Sequence, residues 1–252
     1  MAVPVLIEVS YAFPMRFLGV DLGWVNGATG LAALDWDPAA GVLRLSSLEL
    51  AADHGAVLAW VRAQAGDGPA LVAVDAPTII RNPSGQRPAE RLLNAAFRRY
   101  GLGCHPANLG RPFAARTNAF AAALEELGFR HAPRLEARSP GRFQIEVFPH
   151  AAIVSLFGLD YRLKYKKGTV PERVVQLRRL RGFLFTLAQA DPPCLLEDLP
   201  EVPSGGGARK DVEDRLDAVV CAYTAAHYWW WGSARNRTFG DAESGFLVVP
   251  GL

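Results

Sequence analysis

Cysteine is scarce in this sequence, and what there is does not pair. Three cysteines in 252 residues is an odd number without paired spacing; that excludes a disulfide framework and suits a reducing, cytoplasmic setting. Cys104 adjoins His105, but no second pair stands at ligand spacing, so zinc is not expected. No apolar run is long enough to span a bilayer. The sequence has no Walker loop, no G-x-S-x-G and no internal repeat. Gly23, Gly27 and Gly30 precede no helical pattern and make no dinucleotide fingerprint. Residues 1–14 lack a basic start and a small-residue cleavage site, and read as an N-terminal extension rather than a signal peptide.

What is present is enough apolar chain for a sizeable core: 50% hydrophobic and 10% aromatic residues. One domain is expected over residues 15–252. The net charge of +2 conceals a strong segregation. Residues 81–142 hold 11 arginines and no lysine against four acids, and residues 161–182 hold eight basic residues against one acid. Each segment carries +7, so the rest of the chain is acidic. Basic segments of this kind suit a polyanionic partner such as nucleic acid, DNA or RNA alike; the plainer use is a solvated basic surface.

Patterning predicts strands at 16–21, 28–37 and 42–50, joined by short turns into an antiparallel meander. A helix follows at about 53–65, capped by Asp53, and then a fully apolar strand within 71–77. Residues 81–142 break the rhythm and read as a helical, arginine-rich insertion with helices near 88–100 and 112–128. A strand at 142–149, helices at 150–157 and 171–190, a long helix at 212–229 and a short strand at 246–250 complete the chain. The fold class expected is α/β, a mixed sheet flanked by helices.

Five acids interrupt apolar segments, where a carboxylate is costly unless something pairs with it. Asp21 ends the first strand, Asp75 ends the strand after the first helix, and Glu146 lies on the strand after the insertion. Asp214 and Asp217 stand three apart on the long helix and can share a face. If the first and fourth strands are parallel neighbours, Asp21 and Asp75 converge, and a helix crossing that edge can deliver Asp217. Clustered carboxylates repel one another, and a divalent cation relieves the repulsion; hard oxygen donors suit Mg²⁺ or Mn²⁺. Two such ions roughly 4 Å apart can hold a scissile phosphate and activate a water. Four of the five acids also have a plainer use: Asp21 and Asp75 as turn residues, Glu146 as an edge acid or an arginine's partner, Asp214 as the helix partner of Lys210.

The segments GVDLG (19–23), VDAP (74–77), EVFPH (146–150) and KDVEDRLDAVVCAYTA (210–225) resemble the motifs of domain-of-unknown-function family 429, described as predicted nucleases. The resemblance runs from about Arg16 to Val249. It implies a ribonuclease H-like core with an acidic, catalytic and metal-binding site made by Asp21, Asp75 and Asp217, supported by Glu146 and Asp214. The D-x-x-D helix motif is also similar to that of Holliday-junction resolvases.

The leading expectation is therefore a Mg²⁺- or Mn²⁺-dependent nuclease whose backbone contacts come from Lys164, Lys166 and Lys167 and from insertion residues such as Arg111 and Arg116. Two rivals stay open. GVDLG with the glycine-rich turn after it also resembles the phosphate loop of actin-like sugar kinases, though the chain is short for two such lobes. The alternative outside enzymes is a nucleic-acid-binding module with a degenerate site. His150 stands near Glu146 either as a proton shuttle or as a packing residue. Trp229, Trp230 and Trp231 suit core packing or a homodimer contact.

Overall fold

The computed structural model describes residues 14–23, 27–204 and 207–251. The expected extension at 1–14 lies outside the described residues except for its last position. The expected meander is present: β1 (Arg16–Asp21), β2 (Thr29–Asp37) and β3 (Val42–Ala51) pair antiparallel in that order. Helix α1 (His54–Ala65) starts on Asp53, whose carboxylate accepts from the Ala56 amide at 2.9 Å, and ends at Gly66 with φ 52°. It carries the chain back to β4 (Ala70–Val74), which lies parallel to β1.

The remaining elements are α2 (Pro88–Phe97), α3 (Ala114–Glu126), β5 (Arg130–His131), β6 (Arg142–Glu146), α4 (Pro149–Leu156), α5 (Val170–Phe185), β7 (Cys194–Leu195), α6 (Gly207–Trp231), β8 (Asn236–Asp241) and β9 (Gly245–Pro250). A seven-stranded mixed sheet runs β5-β6-β4-β1-β2-β3-β7, with β2 against the direction of its neighbours, and β8-β9 form a separate hairpin. Helices cover both faces. α4, α5 and α6 pack on one side, burying Leu177, Leu216, Val220 and Tyr223. α1 and α3 pack on the other, burying Val57, Val61, Phe120 and Leu124. No described helix is long and apolar enough to cross a membrane.

The insertion is less separate than its composition predicts. β5 at its end joins the edge of the main sheet beside β6, and α2 packs on the β8–β9 hairpin. Strands β5, β7 and β8 carry no expectation from sequence: two residues show no periodicity, and NRTFGD offers a single large apolar side chain.

Most basic side chains of the two segments are exposed, but some are spent inside the molecule. Arg142 donates to the Gly66, Gly68 and Leu127 carbonyls, bracketing α1 to the insertion. Arg181 pairs with Glu201 at 2.7 Å and donates to the Leu199 and Pro200 carbonyls, so α5 holds the 199–202 segment. The three tryptophans also have partners within the chain. Trp229 is buried against Phe17 and Trp36, Trp230 packs on Trp36 under Arg138, and the Trp231 indole donates to the Asp191 carbonyl.

Two glycines set how closely α6 lies on the sheet. A Cβ on Gly19 would sit 1.9 Å from the Ala218 carbonyl oxygen, and one on Gly30 would sit 2.0 Å from that of Asp214. Both clashes are with helix backbone, so the helix itself would have to move. Gly30→Ala is expected to destabilise the protein by about 1–3 kcal/mol, the usual cost of overpacking, with the site disturbed as well. Urea denaturation measures it; an unchanged midpoint would show that α6 does not depend on this contact.

Candidate active site

Register brings the acids to one edge. Val20, Val74 and Glu146 occupy one row across β1, β4 and β6, and Asp21 and Asp75 fall in the next. The Asp75 amide donates to the Val20 carbonyl at 2.8 Å, which carries the pairing into the acid row. Side chains alternate between faces, so Asp21, two residues after Gly19, shares the face on which Gly19 meets α6. Asp75 emerges beside it, and Asp217 comes down from the overlying helix. The close approach allowed by Gly19 and Gly30 is what brings that helix within reach.

Glu146 stands one row earlier and leaves from the opposite face by the same alternation. Its carboxylate accepts from the Thr78 amide at 3.1 Å and is gripped by Arg87 at 2.5 and 2.9 Å. Arg87 is 1% exposed and also donates to Glu90 and to the Ile79 carbonyl. Glu146 therefore reaches the cavity as the anchor of an insertion arginine, the plainer of its two expected uses, and not as a free ligand. Asp214 is likewise the partner of Lys210 and lines a shallow depression on the other side of Asp21, with Gly23, Gly27 and Asp211.

The other three acids share an environment. Asp217 is fully buried; one oxygen accepts from the Tyr165 hydroxyl at 2.7 Å, and the other lies 2.6 Å from the Lys166 ammonium. Asp75 hydrogen-bonds Asp21. Burial, opposed by Lys166 and reinforced by Asp217, pushes Asp75 up to about 7 and holds Asp21 well above the carboxylate range. Lys166, despite its burial, is held above its ordinary value chiefly by Asp217 and Asp21. One ammonium thus faces three carboxylates. Among the described residues, no three His, Cys, Asp or Glu side chains stand close enough to hold an ion as they are placed. The cation beside Asp217 is the Lys166 ammonium.

Asp21, Asp75, Glu146 and Lys166 form one wall of a cavity of about 450 Å³. It is also lined by the insertion (Leu102, Cys104, His105), by Phe148 and His150 at the start of α4, and by Arg162, Lys167 and Leu247. Burial pushes His150 down to about 4, so the imidazole is neutral at physiological pH.

The basic residues expected to touch phosphate divide. Lys167 lines the cavity, and Lys166 is tied to Asp217. Lys164 is exposed over Tyr161 and lines a different depression. Arg111 and Arg116 are exposed away from the acids, with Arg111 donating to the Pro106 carbonyl and Arg116 lying against His54. Sequence reasoning missed Tyr165 and Arg87. The clue to Arg87 was its place before Pro88 with Glu90 three residues on, a helix-start pairing that the structure realises as a capping box.

A consequence is testable in the metal-free protein. A carboxyl whose folded pKa is raised stabilises the fold while protonated, and that contribution is lost as pH rises through the folded value. The depressed histidines act oppositely, but only below their ordinary value of 6.5. Between about pH 6.5 and 8 the Asp75 contribution remains, so Tm measured in chelator is expected to fall across this window, and Asp75→Asn is expected to flatten the fall. A wild-type Tm that rises with pH there would contradict the buried, proton-sharing arrangement.

No curated protein and no solved structure matches the chain. One family model does, that of a protein of unknown function (DUF429), over residues 19–244, a span that includes all five acids, Tyr165, Lys166 and Arg87. The chain belongs to the DUF429 family.

Proposed function

We propose that this protein is a divalent-metal-dependent phosphodiesterase acting on nucleic acid, with a ribonuclease H-like core and Mg²⁺ or Mn²⁺ held by Asp21, Asp75 and Asp217. The observation that carries the reading is the meeting of these three carboxylates around a single ammonium group, at the carboxyl ends of two neighbouring parallel strands. Such edges are where open α/β sheets bind ligands.

The donors suit the ion. They are hard oxygens, and a single ammonium is the cation the three carboxylates share. For an ion to enter, the ammonium of Lys166 must leave the carboxylates, and its place on the loop before α5 puts it beside the substrate phosphate when it does. A bound divalent ion supplies charge neutralisation at phosphorus and a water of lowered pKa.

The chain's own groups supply the rest. Tyr165 fixes Asp217 through its hydroxyl. Arg87, locked by Glu146 and Glu90, sets the position of the insertion wall. Arg162 and Lys167 line the same cavity and would meet the non-bridging phosphate oxygens. In the hydrolysis a water oxygen bonds to phosphorus, the ester P–O bond breaks, and the departing oxygen takes up a proton.

End-labelled single-stranded DNA and RNA, incubated with Mn²⁺ or Mg²⁺, test this reading. Cleavage of at least one, abolished by chelator, is expected. No cleavage of either with either ion, or cleavage indifferent to chelator, would overturn it.

A further inference from the structure

The cavity beside the carboxylates has the size of a small-molecule site: its volume of about 450 Å³ falls in the range of roughly 300–1,000 Å³ typical of such pockets. An open groove that tracks a nucleic-acid backbone is built differently, as an electrostatic channel with stacking platforms. The 102–105 segment lines this cavity, and it is fastened down. Asn94 accepts from the Cys104 amide at 2.6 Å, Glu90 accepts from the Ala107 amide at 3.2 Å, and Glu90 is held through Arg87 to Glu146 on the central sheet. The third side is equally fixed. Val147, just past β6, bridges to Val248 of β9, which sets Leu247 into the cavity wall. The loop bearing Lys166 is tied to the insertion by the Arg162 amide donating to the Tyr100 carbonyl at 3.1 Å.

The lining is divided as a nucleotide is divided. Leu102, Phe148 and Leu247 offer apolar surface for a base and sugar face, with the neutral His150 ring set edge-on to Phe148 at 5.8 Å. Arg162 and Lys167 line the cavity and offer cationic donors for phosphate. A phosphate oxygen is the acceptor that a guanidinium fork fits.

We infer that this cavity binds a single nucleoside phosphate unit, so that the protein hydrolyses nucleic acid from a free strand end, one nucleotide at a time, or takes the same unit as a free nucleotide. The inference rests on the proposed phosphodiesterase activity for its chemistry, but the pocket claim stands on binding alone. Hydrolysis at the terminal linkage consumes one water per nucleotide released: the water oxygen joins phosphorus, the linking P–O bond breaks, and the departing oxygen is protonated.

Two measurements on the full chain test it. The first compares a linear single-stranded oligonucleotide with the same sequence circularised, both with Mn²⁺. The linear strand is expected to yield mononucleotides and the circle to be cut at least 100-fold more slowly; equal rates with internal fragments would overturn the inference. A linear strand left intact while free thymidine triphosphate is hydrolysed would identify the free nucleotide as the source of the unit. The second titrates thymidine 5′-monophosphate into metal-free protein by calorimetry. One-to-one binding is expected, weakened tenfold or more by Lys167→Glu, whose exposed position spares the fold, and by Leu102→Trp, which fills the cavity. If neither nucleic acid is cut, the proposed activity fails while this titration still decides the pocket: absence of binding, or binding indifferent to both variants, would overturn the inference.

Discussion

Asp21→Asn is expected to reduce metal-dependent cleavage by about 10³-fold or more while leaving the protein as stable as before, or more stable. The loss follows from the role of the carboxylate. Charge neutralisation by a bound ion contributes several kcal/mol to phosphoryl chemistry, and an amide in place of one of three anionic donors forfeits most of it. The unchanged or improved stability follows from the site's present electrostatics. Asp21 is buried beside Asp75 and Asp217, and its carboxyl is held far above its ordinary value because its charge is unwelcome there. Asparagine keeps the shape and removes the charge, and the Lys166–Asp217 pair survives. A single-turnover assay and a thermal melt in chelator read the two effects separately. Cleavage at the wild-type rate would reject the site; lost cleavage with a collapsed melt would mean that Asp21 serves the fold.

Arg87→Met is expected to have the opposite profile, a large loss of stability of about 3–5 kcal/mol, the cost of removing one partner of a buried ion pair. Arg87 and Glu146 are 1% and 3% exposed in their side chains, and Glu90 is as deeply buried. Without the guanidinium two carboxylates remain in the interior, along with the orphaned Ile79 carbonyl. The insertion wall would also lose its tether, so any activity that survives should be less selective between linear and circular strands. Urea denaturation measures the loss. The double variant with Glu146→Gln should recover part of it, because one of the two uncompensated charges is then gone. A cost under about 1 kcal/mol would show that the network is solvated, contrary to its burial.

The contrast between these substitutions explains what was readable in the sequence. Strong local patterns named the elements that carry the site: the apolar LVAV strand closed on both faces, the three-strand meander with its turn residues, and the long helix with D-x-x-D at its start. Acids ending strands that otherwise read as buried pointed to Asp21 and Asp75, and the register of β1 on β4 then fixed their common face. The meaning of the basic residues was not readable. Arg87, Arg142 and Arg181 look identical to solvated arginines in composition, and only tertiary contact shows them holding carbonyls and carboxylates inside the molecule. Lys166 was visible as a basic loop residue, but its partner Asp217 lies far along the chain, and no local spacing links them. The same limit hid Tyr165 and left the arginine that Glu146 takes unnamed, whereas the Lys210–Asp214 pair, four apart on one helix, was legible from spacing.

The most direct test of the central claim is a crystal grown with MnCl₂ and examined by anomalous scattering. The account predicts a manganese peak ligated by Asp21, Asp75 and Asp217, with the Lys166 ammonium displaced from Asp217. No peak at these acids, with the Lys166–Asp217 pair intact at saturating manganese, would contradict it.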